Sequence, residues 1–348
     1  MQKKYSIADI AQICGVSKAT VSRVINDKNE GVSKETRRRI LKTMKDLNYR
    51  PSTLARSITT ARSGMVGLII PDASNLFYPA IIRGVGDCLD ENNYSMCLCN
   101  SDSDPKKEKT HLLSMVDHRM DGVILCSGIS NDSFLAQFSK YNVPIVLIGR
   151  TFDLYLSDGS VTGDNVKGAL QAVQYLIQSG DRRIVYLDGT EGVSGAIQRY
   201  EGYRQALDGA GIPLDEKLVG FGSFSIEYGF QAINGLLSRG EKFDAVFAGS
   251  DLIAIGVVKA LQRAGKKVPQ EVEVIGFDGI ELSEIFEPQL STVVKPHYDM
   301  AREAARMLMA IINGQEGGLR HITVAPTLTL RSTTRPRSRP CSSHSRPK

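Results

Sequence analysis

Residues 6–26, SIADIAQICGVSKATVSRVIN, read as two short helices folded about Gly15, and that pair fixes a small helical unit at the start of the chain. Ser6 and Ser17 stand immediately before residues with helical apolar spacing, where a serine oxygen can accept an otherwise unpaired backbone N–H. Ile7, Ile10, Ala11, Val16, Val21, Val24 and Ile25 supply the inward faces. Ala11 lets the helices cross closely, and Gly15 tolerates the positive φ of a tight turn. This is a helix-turn-helix pattern. Its second helix leaves Lys18, Ala19, Thr20, Ser22 and Arg23 off the apolar stripe. Lys18, Ala19 and Arg23 are therefore the candidate base readers: Arg and Lys suit guanine O6 and N7, and Ala offers apolar contact. Thr20, Ser22 and Asn26 are candidate phosphate contacts, which position without reading sequence. A small helical bundle with a solvated basic face is the competing explanation of the pair taken alone.

Ser33 to Leu47 supplies a third helix, capped by Ser33, with Ile40, Leu41, Met44 and Leu47 at core spacing. Arg37, Arg38, Arg39, Lys42 and Lys45 decorate it. Residues 1–63 hold fourteen Lys and Arg against five Asp and Glu, a net of +9 in a chain of only +5. The tail 335–348 adds five basic residues and no acidic ones, which leaves residues 64–334 at −9. Charge segregated in this way assigns phosphate contact to the front of the chain and a different task to the body.

After Tyr49 comes RPSTLARSITTARSG, where Pro51 ends the third helix and a short helix can restart near Ser52. Leu54, Ala55 and Ile58 are too few to stabilise it alone, so it reads as a hinge that folds when paired and docked. Through SIADIAQICGVSKATVSRVIN, VSKETRRRILKTMKDLNYRP and STLARSI, in that order and spacing, the chain resembles the LacI/GalR family of bacterial transcription regulators. The resemblance implies that paired hinge helices of a dimer enter the minor groove, where the family wedges a Leu into the central step. Ile58 stands at that place here, and its other role would be packing between two hinge helices. With Ser6, Ser17, Tyr49, Leu54 and Ala55 it completes the candidate DNA-facing set.

Past Gly64 the pattern changes to alternating strands and helices. Val66 to Ile70, Tyr94 to Cys99, Gly122 to Cys126 and Pro144 to Ile148 are short apolar runs, separated by helical stretches starting near Tyr78, Pro105 and Asp132. A second set follows in Ile184 to Leu187, Leu218 to Phe221, Ala245 to Phe247 and Val272 to Phe277, with helices over Gly195 to Ala210 and Asp251 to Ala264. Two such doubly wound lobes in tandem predict a cleft between them. Ser291 to Pro296 and the helix His297 to Asn313 read as a return to the first lobe. The resemblance implies a core like that of the periplasmic binding proteins. The expected class is thus α+β and multidomain: a helix-turn-helix domain over 1–49, a hinge over 50–63, and a two-lobed α/β core over 64–334. Lobe 1 is expected over about 64–163 and 291–320, and lobe 2 over about 164–290 and 321–334. Residues 335–348, rich in Arg, Pro and Ser, read as a disordered basic tail.

The chain opens without an apolar leader and holds no apolar run near twenty residues, which predicts a cytoplasmic protein with no membrane span. Cys14, Cys88, Cys97, Cys99 and Cys126 sit in apolar contexts and read as buried thiols, so no metal and no cofactor are expected. Phosphate-loop, zinc-protease, nucleophile-elbow and dinucleotide motifs are all missing from the sequence, and five scattered histidines nominate no catalytic site.

Polar groups at strand ends mark where an open α/β sheet takes its ligand. Asp72, Asn75 and Phe77 follow the first strand, Arg150 the fourth, Ser250 and Asp251 follow VFAG and Asp278 follows VIGF. Arg199 lies in the helix of the second lobe, and Phe224 offers an apolar face. Carboxylate, amide and guanidinium groups with aromatic faces suit a sugar or sugar acid. By resemblance, Arg199 and Asp278 fall at the family's most recurrent effector contacts, and Phe224 and Ser250 at more variable ones. The simpler roles are a turn cap for Asp278, a surface ion pair for Arg199 and core packing for Phe224. Arg150 departs from the acidic residue that some sugar-binding members carry, which would suit an acidic effector. The expected function is a transcriptional regulator, a repressor of a carbohydrate-utilisation operon. It would bind a pseudo-palindromic operator as a homodimer, since two such units reading a palindrome need two-fold symmetry and no heptad tail follows to make a tetramer. The alternative is a cytosolic sugar-converting enzyme with an appended DNA module.

Overall fold

The computed structural model describes residues 5–25, 31–49, 62–126, 132–149, 157–315, 318 and 320–336. The chain divides into two compact units, 1–64 and 65–348. The first holds α1 (Ile7–Ile13), α2 (Lys18–Ile25) and α3 (Lys34–Asp46). Ser6 and Asp9 cap α1 reciprocally: the Asp9 amide donates to Ser6 Oγ at 3.3 Å and the Ser6 amide to Asp9 Oδ2 at 2.7 Å. The Ser17 hydroxyl receives the Thr20 amide at 3.1 Å at the start of α2. Gly15 has φ +61°, which joins the two helices without the strain a side chain would bring. Ile10, Ala11, Cys14, Val21, Val24 and Ile40 form the core, with Ile7, Val16, Ile25, Met44, Leu47 and Tyr49 packed around it. Leu41 departs from the expected core set. It is 44% exposed, because Ile40 takes the inward position and rotates its neighbour onto the basic face with Lys34, Arg37, Arg38, Lys42 and Lys45.

The second unit is built on two six-stranded sheets. In chain order its elements begin β1 (Met65–Ile70), α4 (Tyr78–Glu91), β2 (Ser95–Asn100), α5 (Pro105–Asp117), β3 (Gly122–Leu125), α6 (Asp132–Phe138), β4 (Ile145–Ile148) and β5 (Gly159–Gly163). There follow α7 (Asn165–Gln178), β6 (Ile184–Asp188), α8 (Ser194–Gly209), β7 (Val219–Phe221), α9 (Ile226–Ser238), β8 (Ala245–Ala248), α10 (Asp251–Arg263) and β9 (Glu273–Asp278). The last are α11 (Leu282–Ile285), β10 (Ser291–Val294), α12 (His297–Ile312), β11 (His321–Val324) and β12 (Thr327–Thr329). Lobe 1 has the order β11-β5-β4-β3-β1-β2, and lobe 2 the order β12-β10-β9-β8-β6-β7. The pairs are parallel except for β10 with β12. Strands buried on both faces explain why they read as continuous apolar runs, and the helices on each face follow from the crossovers that parallel pairing needs. Gly84 lets α4 approach α12 closely, since a Cβ there would lie 2.5 Å from the Tyr298 carbonyl.

The lobe boundaries differ from expectation near the C-terminus. β10 lies in lobe 2, where it extends β9, so the return to lobe 1 occurs at residues 294–297 and not at Ser291. β11 pairs with β5 in lobe 1, and the chain then crosses again to place β12 beside β10. With the passage from β5 to α7, three crossings join the lobes. The core also extends past Thr334. The Arg335 amide donates to Glu273 Oε2 at 2.7 Å and its Nε to Oε1 at 2.6 Å, and its guanidinium also bonds Asp181. Two buried carboxylates thus hold the end of the segment, and residues 337–348 lie outside the described set. Cys14, Cys88 and Cys126 are buried, whereas Cys97 and Cys99 are half-buried because β2 forms the sheet edge.

Candidate functional site

On α2, Lys18, Ala19 and Arg23 are exposed and share the surface with Ser17, while Thr20 and Ser22 are half-buried. Ser6 and Ser17 are spent on helix caps, and Tyr49 packs against the core. Asn26, Leu54, Ala55 and Ile58, together with Arg150, lie outside the described residues.

Between the lobes of the second unit lies a cavity of about 130 Å³. A single water needs only about 10–15 Å³ on this scale, so the space suits a small organic ligand. Lobe 1 contributes Asn75, Phe77, Tyr78 and Ser103; lobe 2 contributes Arg199, Phe224, Ser250, Asp251 and Asp278; Asn165 and Lys295 come from the crossings. Seven of the nine residues expected at the site therefore line it. Asp72 does not, because its carboxylate turns back to accept the Ser74 amide at 2.9 Å and the Ser74 hydroxyl at 2.7 Å. Ser250 is buried, and its hydroxyl caps α10 by accepting the Ile253 amide at 3.3 Å.

Two buried ion pairs dominate the electrostatics. Arg199 grips Asp188 with both arms, Nε to Oδ2 and Nη2 to Oδ1, each 2.8 Å. Asp188 also accepts the Tyr186 hydroxyl and its neighbour Gly189's amide, the latter at 2.6 Å. On the same cavity wall, Lys295 Nζ lies 2.9 Å from Asp278 Oδ1. Burial works to raise the Asp278 carboxyl, but Lys295, His297 and Arg199 outweigh it and hold the group below the usual carboxylate range. Asp278 has φ +101°, a conformation costly for a side-chain-bearing residue and characteristic of sites where the backbone is held for function. His297 is pushed down to about 4, first by burial and then by Lys295, so it is a neutral donor through Nε2 to the Asp278 carbonyl at 2.8 Å. Phe77 and Phe224 provide aromatic faces from opposite lobes. Asp251, expected beside Ser250 at its strand end, lines the cavity; Asp188, Asn165 and Lys295 were not among the expected residues. Strand-end position was available as a signal for Asp188, whereas Lys295 sits on a crossing that no local pattern marks.

Asp251 behaves differently from its neighbours. Burial pushes its carboxyl up to about 7, with the charge of Asp278 adding to the rise and bonds from the Thr292 hydroxyl and the Ile280 and Gly279 amides opposing it. The folded core thus holds a proton that the unfolded chain lacks, and stability falls as pH rises between about 4 and 7. Asp251→Asn is expected to flatten this fall. Asp181, pushed upward by burial, titrates nearby, so calorimetric melting of variant and parent should be compared as a difference across that window. A difference that stays constant with pH would remove Asp251 as a source.

A family model described as the periplasmic binding proteins and sugar binding domain of the LacI family matches residues 63–331. A second, described as bacterial regulatory proteins of the lacI family, matches residues 6–52. The HTH-type transcriptional regulator RegA of Clostridium saccharobutylicum is 39% identical over 316 residues, covering 89% of this chain and 93% of that protein. The ribose operon repressor of Halalkalibacterium halodurans is 35% identical over 334 residues, covering 95% and 97%. Among solved structures, a transcriptional regulator CelR–cellobiose complex aligns with TM-score 0.72 at 31% identity, covering 94% of this chain and 99% of that one.

Proposed function

Because this chain belongs to the LacI family of bacterial regulatory proteins, we propose that it represses a carbohydrate-utilisation operon and that a small sugar or sugar acid in the interlobe cavity sets its operator affinity. The observation that carries the effector half is the cavity itself. Carboxylates and a guanidinium held in fixed orientation line it together with Phe77 and Phe224, a set that matches the hydroxyl edges and apolar faces of a sugar ring. The likeness to a ribose operon repressor and to a CelR–cellobiose complex supports the class of ligand. A sugar-converting enzyme has no support among them, since the family and the named relatives are regulators.

On this reading Lys18, Ala19 and Arg23 choose the operator, while Thr20, Ser22 and Asn26 hold phosphates. Leu54, Ala55 and Ile58 form the hinge contact. The protein acts as a homodimer in the cytoplasm, because two identical reading heads on a pseudo-palindrome require a two-fold axis. None of the helices among the described residues is long and apolar enough to cross a membrane. The effector pocket comprises Asn75, Phe77, Arg199, Phe224, Ser250 and Asp278, with Arg150 following β4. Effector and operator then report on one another through a coupling of about 1–3 kcal/mol, equal in both directions.

A panel of sugars and sugar acids tested by thermal shift decides the matter. A ligand at one hundred times its Kd stabilises the core by about 2.7 kcal/mol, and the same ligand should change operator affinity in a mobility-shift titration. A panel in which no member moves either quantity rejects the effector half and leaves a plain DNA-binding protein.

A further inference from the structure

Lys295 stands where three parts of the second unit meet. It follows β10 on the crossing to α12, and its Nζ donates to Asp278 Oδ1 at the end of β9. The same ammonium lies 3.3 Å from Asn165 Oδ1, at the start of α7 where the β5 crossing enters lobe 2. It sits 4.9 Å from the ring centre of Phe277 in lobe 2 and 5.7 Å from that of Phe77 in lobe 1. Its stem runs over Gly163, where a Cβ would come within 2.5 Å of Lys295 Cδ. The side chain is only 8% exposed. A buried ammonium is costly unless its donors are used, and here they run to Asp278 in the pocket and to Asn165 at a crossing.

We propose that Lys295 is the positioning residue of the effector cavity: its ammonium keeps the Asp278 carboxylate charged and aimed as an acceptor for ligand hydroxyls, and fastens that carboxylate to two of the three strands of chain that join the lobes. Among the groups facing Asp278, Lys295 opposes the effect of burial most strongly and is the cation bonded to the carboxylate. Arg199 from α8 is committed to both oxygens of Asp188. His297, on the same crossing as Lys295, is neutral and bonds the backbone carbonyl. Asp251 from α10 and Tyr78 from α4 add negative or neutral character, and both are raised mainly by burial, with the charge of Asp278 adding to the rise. With Lys295 gone, the largest offset to burial is lost and the Asp278 carboxyl moves upward, towards holding a proton. A ligand site that needs an ionised acceptor would then lose it.

This inference rests on the effector reading for its meaning, but its first test needs no ligand. Full-length protein, Lys295→Met, Asp278→Asn and the double variant are melted between about pH 5 and 8, with Lys295→Arg as the conservative control. Relative to the parent, Lys295→Met should lose stability progressively as pH rises, because the folded carboxyl now titrates above its unfolded value. Adding Asp278→Asn should abolish that slope, and Lys295→Arg should track the parent. Lost packing of the lysine stem would lower stability equally at all pH, so a pH-independent loss overturns the proposal, as does a slope that survives Asp278→Asn. Should Lys295→Met not fold, Lys295→Gln enters the same cycle. The second test takes D-ribose, cellobiose and D-gluconate as probes by calorimetry. For a probe that binds the parent, Lys295→Met should weaken binding about tenfold or more near pH 6, recovering part of it near pH 8. If no probe binds the parent, the effector reading fails while the melting cycle still decides the role of Lys295.

Discussion

Arg199→Met should be the most damaging single substitution in the core, costing about 3–5 kcal/mol. Asp188 is fully buried and the Arg199 side chain only 6% exposed, so removing the cation strands a carboxylate where water cannot reach it. The bonds from the Tyr186 hydroxyl and the Gly189 amide remain, but neither carries charge. For a unit of this size each kcal/mol shifts Tm by roughly 2–4 °C, so calorimetry resolves the loss easily. Two further proteins separate structure from recognition. Arg199→Met combined with Asp188→Asn removes the stranded charge and should recover most of the stability, because what is expensive is the uncompensated ion rather than the missing pair. Effector response should stay absent in that double variant, since the guanidinium that lines the cavity is still gone. A loss below about 1 kcal/mol in the single variant would place the pair among weak surface bridges and contradict its burial. A sugar response retained by the double variant would make Arg199 a structural counter-ion alone.

The Arg199–Asp188 pair is not encoded in local sequence spacing, because it depends on how β6 and α8 pack. The β1, β3 and β4 runs were legible almost to the residue, because a strand buried on both faces must be apolar throughout. β5, with the sequence GSVTG, carries the same burial in small and hydroxyl residues and so lacks the signal. β11 and β12 are half-exposed and only four and three residues long. The misplacement of β10 has a different origin. Its residues Ser291 to Val294 announce a strand, but which sheet receives it depends on pairing with β9, a contact that local spacing does not encode. The same limit governs the site. Arg199 was visible by its place on a helix and by family resemblance as an effector contact, with a surface ion pair as the alternative, and neither reading named a buried partner. The true partner, Asp188, lies eleven residues earlier, at the end of β6. Strand ends nominate polar residues; only the packed sheets decide which of them face one another. Asp72 shows the converse, a strand-end carboxylate consumed by its own turn.

Arg23→Ala should reduce affinity for the cognate operator by about 1–3 kcal/mol while leaving affinity for random duplex nearly unchanged. Arg23 is exposed on α2, off the stripe formed by buried Val21 and Val24, so its guanidinium is available to a base edge. A competing role exists on the same helix. Arg23 lies in the last turn of α2, where a cation complements the partial negative charge of the helix end for about 0.3–1 kcal/mol. Its Nη1 also lies close enough to Gly31 that a Cβ there would approach within 3.3 Å. These roles leave different traces. A base reader loses specific binding only, and relaxes preference at one operator position. A phosphate contact loses specific and random binding alike and lowers the salt slope of log K by about 1. A purely structural cation lowers the melting temperature of the N-terminal unit and changes affinity only through the folded fraction. Operator and random duplex titrated at several salt concentrations, beside Lys18→Ala as a neighbour on the first turn, distinguish all three. Equal losses on the two duplexes would move Arg23 from the residues that choose the operator to those that merely hold it.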